Sequence, residues 1–286
     1  MAGALLCGLI GAGIQRSLAP ALHEEEARHH GLRLHYQLID LDAAGAGVEA
    51  LPALMAAARV IGFAGLNITY PCKRAVMPLL DELSEEARMM EAVNTVVRKD
   101  GRLVGHNTDG SGWSWGFRRA LPQATLGRVV VLGAGGAGSA IAHAALKLGT
   151  GKLVIVDQEP GRAEALARQL NDAHGAGKAV AERDIAAALD GADGLIQATP
   201  VGMEKQPGMP LADRLLRPQL WVSEIVYVPL ETALLKAARR IGCPTADGGH
   251  MNVGQACRAF ELFTGRTADV GRMEAHFRRL VGHRPA

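Results

Sequence analysis

Two segments carry side chains that could move a proton. "GLNITYPCKRAV" (65–76) runs as an apolar strand into Asn67 and Thr69, turns at Pro71 and presents a cation at Lys73. "HNTDGSG" (106–112) ends another apolar run with a carboxylate, Asp109. Both groups fall just past a strand end, the edge where open α/β sheets bind their ligands. A lysine can take the proton of a reacting hydroxyl and return it in the reverse direction if its pKa is brought toward neutrality, or if a partner relays the proton to water. A Lys73/Asp109 pair could serve in this way. It could equally be a salt bridge with no chemistry, since structural ion pairs also occur in clefts.

A third constellation handles anions. "RVVVLGAGGAGSAIAHAALKLG" (128–149) is a buried strand entering Gly133-x-Gly135-x-x-Gly138, followed by an alanine-rich helix. Gly133 permits a tight turn, Gly135 lets the backbone approach a pyrophosphate, and Gly138 allows close helix-to-strand packing. The free amides of Gly133, Ala134, Gly135, Gly136 and Ala137 and the positive end of the helix then attract the anion. A second strand, "KLVIVD", ends in Asp157 about 20 residues further on. A carboxylate there accepts from both ribose hydroxyls and repels a 2′-phosphate, which favours NAD over NADP. Arg162 can stack on adenine, pair with a phosphate, or be a solvated helix residue. "GLIQATPVGM" (194–203) is another buried strand ending at Thr199 and Pro200, where a loop would cross the nicotinamide side of the crevice and Thr199 would meet the cofactor, and "WVSEIVYVPL" (221–230) repeats the pattern with Pro229. Any one of these residues alone could belong to a plain loop.

The elements that must position these groups follow from the pattern. A chain of 286 residues favours two domains. Candidate strands are 5–11, 34–41 and 62–69, with a helix over 19–30 between Pro20 in its first turn and Gly31 as its stop. Asp100 and Gly101 sit between two runs that can pair as a hairpin. From Arg128 the texture becomes strand, glycine loop, helix, strand, the layout of a doubly wound nucleotide domain. A formal charge of +2 with scattered signs argues against nucleic acid or a membrane surface as the main partner. Cys7, Cys72, Cys243 and Cys257 have neither disulfide-framework nor metal-ligand spacing, so a reducing cytoplasm fits and no metal is expected. Cys72 beside Lys73 is a candidate for a depressed thiol pKa, read here as incidental. "MAGALLCGLIGAG" lacks a cationic start and reads as a first strand and turn. The uncharged stretch 129–146 is broken by glycine and serine, and holds His143.

Six segments, "GLNITYPCK", "AVNTVV", "HNTDGSG", "GAGGAG", "ATPVGM" and "MNVGQACRAFELFTG", occur in the order and at about the separations of the shikimate/quinate dehydrogenase family. The chain resembles that family over nearly its whole length. Asp157 and "LFTG" look more like its NAD-dependent quinate/shikimate branch than its NADP-dependent biosynthetic branch. The resemblance implies an α/β fold of two domains, a mixed α/β substrate domain (1–110 and 248–286) and a Rossmann doubly wound parallel sheet that binds NAD (111–247). Glycine-rich crossings near 110 and 247 would suit hinge closure. It implies hydride transfer between the nicotinamide and a ring hydroxyl or keto group of shikimate, quinate or a related cyclic polyol acid, in a cytoplasmic monomer or homodimer.

By the same resemblance Lys73 and Asp109 are the catalytic pair, and Asn67, Thr69, Asn94, Tyr227 and Gln255 surround the ring hydroxyls and carboxylate. Ile225, Gly248 and Met251 then lie at the nicotinamide end. One departure stands out. The family grips the substrate carboxylate with a Ser-x-Ser/Thr-Pro arrangement, whereas this chain has Ser17-Leu18-Ala19-Pro20. Losing one hydrogen bond to a charged group costs ~1.5–3 kcal/mol, about a tenfold to hundredfold weaker grip, unless Arg16 compensates. Tyr70 and Cys72 also depart from the commoner neighbours of the family lysine. Two other readings follow from Ala19: a dinucleotide-binding regulatory protein whose alcohol site has drifted, and a dehydrogenase for a modified, for example amino-substituted, shikimate.

Overall fold

Short β-rich runs alternating with alanine-rich ones become strands joined by helices. The computed structural model describes residues 4–282, so the outermost residues of the expected substrate domain, 1–3 and 283–286, lie outside the described residues. The chain begins β1 (Leu5–Gly11), α1 (Ala19–His29), β2 (Leu34–Asp40), α2 (Leu51–Ile61), β3 (Gly65–Ile68) and the single turn α3 (Cys72–Ala75). It continues with β4 (Glu82–Leu83), α4 (Glu85–Met89), β5 (Thr95–Lys99) and β6 (Arg102–His106). Then come α5 (Asp109–Ala120), β7 (Arg128–Leu132), α6 (Gly136–Lys147), β8 (Lys152–Val156), α7 (Pro160–His174), β9 (Ala179–Ala181) and α8 (Ile185–Leu189). The last elements are β10 (Gly194–Gln197), β11 (Trp221–Glu224), α9 (Ala233–Ile241), β12 (Thr245–Ala246), α10 (Gly248–Thr264) and α11 (Val270–Gly282). Two compact units result: one holds the chain up to Thr108 and again from Gln255, the other Asp109–Gly254.

In the first unit the sheet order is β2-β1-β3-β5-β6-β4. β2, β1 and β3 run parallel, while β3, β5 and β6 are antiparallel neighbours. The β5–β6 hairpin closes through Asp100 (φ 50°) and Gly101 (φ 79°), the doubly left-handed turn that matches strand twist. β1 occupies the expected residues. β3 starts later than residue 62, because Gly62 (φ 90°) is the left-handed cap of α2 and its amide bonds the Ala58 carbonyl at 3.1 Å. α1 stops as its glycine requires: Gly31 N–H donates to Arg28 O and Leu32 N–H to Ala27 O at 3.1 and 2.9 Å, the paired bonds of a left-handed helix stop.

α11 is tied back to α1 through a carboxylate. Glu26, 1% exposed, accepts from Arg272 Nη2 at 2.7 Å, Arg272 Nε at 2.8 Å and the Asp269 amide at 2.8 Å. Burial alone would raise this carboxyl's pKa, but the bonds from Arg272, Asp269 and His30 outweigh it and hold it below the usual range.

The second unit has the order β12-β11-β10-β7-β8-β9, all neighbours parallel. Counted from β7 this is the doubly wound order in which the strand sequence reverses between β7 and β10, opening a crevice beyond their carboxyl ends. The three consecutive valines of β7 have a reason. Val129 and Val131 belong to the core under α5, α6 and α7, and Val130 to the core under α8 and α9; a parallel sheet covered on both faces needs apolar residues in both directions. Among the described residues no helix is long and apolar enough to cross a membrane. All four cysteines are free and buried.

Candidate active site

In the first unit the strand ends carry a polar network out of water. Asn67, on β3, accepts from the Tyr36 hydroxyl at 2.7 Å and donates to Thr95 Oγ1 at 3.0 Å. Thr95 donates to Asn94 Oδ1 at 2.9 Å, which also accepts the Thr108 amide at 2.8 Å. Asn94 Nδ2 reaches Thr108 Oγ1 at 3.0 Å and Gln255 Oε1 at 3.3 Å. Asn67, Asn94 and Gln255, which come from β3, the start of β5 and α10, are thus brought into one hydrogen-bonded set. Thr95, Thr108 and Tyr36 are members that sequence reasoning missed. The first two lie inside "AVNTVV" and "HNTDGSG", whose repeated Asn-Thr pair was the available signal.

Lys73 is half-buried in α3, and its carbonyl accepts the Val93 amide at 2.9 Å. Asp109 is 2% exposed and opens α5, where the positive end of the helix favours a carboxylate. It follows directly on Thr108, whose amide Asn94 holds. Beside Lys73 the Cys72 thiol is raised by burial rather than depressed, because a thiolate in the core loses its hydration. Tyr70 is exposed.

Ser17 sits at the head of α1, and its Oγ accepts the Ala19 amide at 3.2 Å, so its hydroxyl proton points elsewhere. The turn that presents it is clamped by a residue sequence reasoning also missed. Asp40, at the end of β2, accepts the Gly13 amide at 2.9 Å and the Ile14 amide at 3.0 Å. Burial works to raise the Asp40 pKa, but hydrogen bonds from the Gln15 side chain and the Gly13, Asp42 and Ile14 amides hold it below the usual carboxylate range. Thr69 stands next to β1: a Cβ on Gly11 would lie 2.3 Å from its Cγ2.

In the second unit the glycine loop lies at the switch point between β7 and β10. Gly133 has φ 98°, and a Cβ on it would come within 2.9 Å of the Ala198 carbonyl group and 3.1 Å of Thr199 Cγ2, so the loop and Thr199 are neighbours. A Cβ on Gly138 would be 2.0 Å from Gly133 O, whereas at Gly135 and Gly136 it would meet nothing within 4 Å. The backbone is therefore closed on its protein side and open where an anion would approach, as a pyrophosphate cradle requires. Asp157 Oδ2 accepts the Ala134 amide at 2.7 Å, and Oδ1 the Glu159 amide at 2.9 Å. The carboxylate is thereby fixed against the loop, and Ala137 lies in the first turn of α6.

Arg162 is an exposed helix residue paired with Glu159 at 2.9 Å. Ile225 and Met251 pack on the core of this unit. Tyr227 is half-buried three residues past β11, and Gly248 begins α10 where a Cβ would lie 2.4 Å from Val226 O.

The sequence profile described as the shikimate dehydrogenase substrate binding domain matches residues 9–96, and that of the shikimate 5'-dehydrogenase C-terminal domain matches 251–276. Residues 128–223 match a profile described as NADP oxidoreductase, coenzyme F420-dependent. The chain is 56% identical over 279 residues to a shikimate dehydrogenase (NADP(+)) of Streptomyces avermitilis, covering 97% of this chain and 96% of that one. It is 47% identical over 279 residues to a quinate/shikimate dehydrogenase (NAD(+)) of Corynebacterium efficiens, covering 96% and 98%. Among solved structures, the quinate dehydrogenase of Corynebacterium glutamicum in complex with NAD superposes with a TM-score of 0.91 at 45% identity, covering 96% of this chain and 99% of that one.

Proposed function

The chain belongs to the shikimate dehydrogenase family and is a nicotinamide-dependent dehydrogenase acting on shikimate or quinate, and we propose that it works with NAD, through Lys73 and Asp109. The observation that supports NAD is Asp157. Its carboxylate is locked to the Ala134 amide at 2.7 Å, so a negative charge stands beside the cradle where the 2′-phosphate of NADP would have to be accommodated. Relatives of both cofactor types are similar to this chain, and the strand-end carboxylate favours the NAD type.

Bound NAD supplies the hydride acceptor, and NADH the donor. The chain's own residues handle the proton and the ring. Lys73 takes the proton of the hydroxyl being oxidised and returns it to the keto oxygen in reduction, while Asp109, buried at the head of α5, orients the ammonium. Asn67, Thr69, Asn94, Tyr227 and Gln255 match ring hydroxyls with short amides and hydroxyls. Among them Asn67, Asn94 and Gln255 are already oriented by each other's network, which lowers the cost of ordering on binding. Ser17 offers its remaining hydroxyl proton to the substrate carboxylate, and Ala19 offers none.

Initial rates of NADH formation with shikimate and with quinate, on the parent and on Lys73→Ala, test this reading. The variant should lose about a hundredfold to ten-thousandfold in kcat with its NAD dissociation constant unchanged. Parental turnover in Lys73→Ala would remove Lys73 from the mechanism, and a higher kcat/KM with NADP than with NAD would reverse the cofactor assignment.

A further inference from the structure

The carboxyl ends of β10 and β11 carry two buried polar side chains with no part in that mechanism. Gln197 and Glu224 are register partners across the parallel pair and are 0% and 1% exposed. Each turns back to hold the loop that leaves its own strand. Gln197 Nε2 donates to Thr199 Oγ1 and to Val201 O, both at 2.8 Å, and its Oε1 accepts the Thr199 amide at 3.2 Å. Glu224 Oε1 accepts the Ile225 and Val226 amides at 2.9 and 3.0 Å, and Oε2 accepts the Thr232 hydroxyl at 3.0 Å. Thr232 in turn caps α9 by accepting the Leu235 amide at 3.2 Å. The Ile225 amide also donates to Gln197 O at 3.2 Å. A Cβ on Gly202 would stand 4.0 Å from Glu224 Oε2, so the first loop folds back onto the anchor of the second.

We propose that Glu224, together with Gln197, is a positioning residue for the dehydrogenase reaction: the two side chains fix the loops that carry Thr199, Ile225 and Tyr227, and protonation of Glu224 resets the second loop. This rests on the reading that those loops contact the cofactor and the ring. As a carboxylate, Glu224 is a pure acceptor served by three donors. Once protonated it must donate from one oxygen, and the partner of Oε2 is Thr232 Oγ1, which already serves the Leu235 amide. Thr232 then has to redirect its own hydroxyl, and the tie between the loop and the α9 cap is rearranged. Burial pushes this carboxyl up to about 7, against the pull of the Val226 amide, Thr232 and the Ile225 amide, so both forms are populated near neutrality.

At the end of β12, Asp247 accepts the Gly249 amide at 2.9 Å and stands 3.2 Å from His250 Nδ1. At α9, Glu231 pairs with Arg239, Arg240 pairs with Asp213 at 3.2 Å, and Lys236 is exposed. Glu204 and Lys205, past the first loop, are exposed. On the other side of β10, β7 ends in the uncharged Leu132, followed by Gly133. Asp247 and His250 are the buried or nearly buried titratable groups of this set, and a control variant, His250→Gln, separates their contribution.

The test uses Glu224→Gln, which keeps an acceptor for both amides and permanently donates toward Thr232, and Glu224→Ala, which removes the anchor. Kinetics with NAD and the ring acid are followed from about pH 5.5 to about 9, and amide hydrogen exchange is measured at Ile225 and Val226 in the free protein. The parent should show an inflection in kcat/KM near 7 that persists in His250→Gln and vanishes in Glu224→Gln. Glu224→Ala should raise KM for the ring acid roughly tenfold and speed exchange at both amides. An inflection that survives in Glu224→Gln, or unaltered exchange in Glu224→Ala, overturns the proposal. If Glu224→Ala does not fold, the Glu224→Gln pH profile and exchange decide. The exchange measurement needs no turnover, so a failure of Lys73 as the proton-transferring group leaves it readable.

Discussion

Replacing Asn94 with alanine probes the polar network of the first unit most directly. The change deletes the acceptor of the Thr108 amide at 2.8 Å and of the Thr95 hydroxyl at 2.9 Å, and the donor to Thr108 Oγ1 at 3.0 Å and to Gln255 Oε1 at 3.3 Å. These losses are unequal. Thr95 Oγ1 lies 3.4 Å from Thr108 Oγ1, so the two hydroxyls can satisfy each other, and half-buried Gln255 can turn to water. The Thr108 N–H, at 2% exposure, loses its acceptor Asn94 Oδ1, and weakening a buried amide's hydrogen bonding costs ~1–3 kcal/mol. With the lost packing of the amide, the total is about 2–4 kcal/mol, a fall in Tm of roughly 10 °C for a unit of this size. Urea unfolding should be followed by far-ultraviolet circular dichroism, because Trp113, Trp115 and Trp221 all lie in the second unit. Gln255→Ala, which breaks only the longest bond, should cost less than about 1 kcal/mol. A loss below about 1 kcal/mol for Asn94→Ala, or equal losses for the two variants, would refute the assignment of the burden to the Thr108 amide.

Two further outcomes are expected. Gly138→Ala puts a methyl 2.0 Å from Gly133 O, and relieving it by ~1–3 kcal/mol of backbone shift should weaken NAD binding tenfold to hundredfold in a fluorescence titration; an unchanged dissociation constant would show that the cradle does not depend on this close approach. His23, 1% exposed and stacked on Tyr36 at 4.9 Å, is pushed down to about 3 from 6.5 by burial. The unfolded chain therefore binds the extra proton first, and stability present above 6.5 is lost as the pH falls through about 3. His23→Phe should flatten the fall of Tm with acid, and an identical slope in parent and variant would assign the acid lability elsewhere.

What the sequence makes legible is what is local. β1 occupies 5–11 as its apolar run suggests, Gly31 and Gly101 adopt the left-handed conformations their turns require, and the valine run of β7 reports burial on both faces. The displaced start of β3 is an error of the same local kind, since Gly62 could have been a strand residue or a helix cap and its φ of 90° decides for the cap. The anchors were not legible. Asp40 meets Gly13 across 27 residues, Tyr36 meets Asn67 across 31, and Glu26 meets Arg272 across 246. A polar residue at a strand end looks the same in sequence whether it faces water or holds the neighbouring turn. For this reason Gln197 and Glu224 carry no distinguishing mark inside segments whose most visible residues are the prolines that follow. The thiol of Cys72 shows the complementary limit: an adjacent cation is visible in sequence, but the burial that raises the thiol is not.

The Asp40 clamp holds main-chain amides of Gly13 and Ile14 and leaves the side chains of Arg16 through Ala19 untouched by that grip. The backbone of this turn is thereby held independently of those side chains, although Ser17 also accepts the Ala19 amide and Ala19 packs on the core. If Ser17 meets the substrate carboxylate as proposed, substitutions at its side chain would retune which acid is accepted while the Asp40 clamp keeps the backbone of the turn in place.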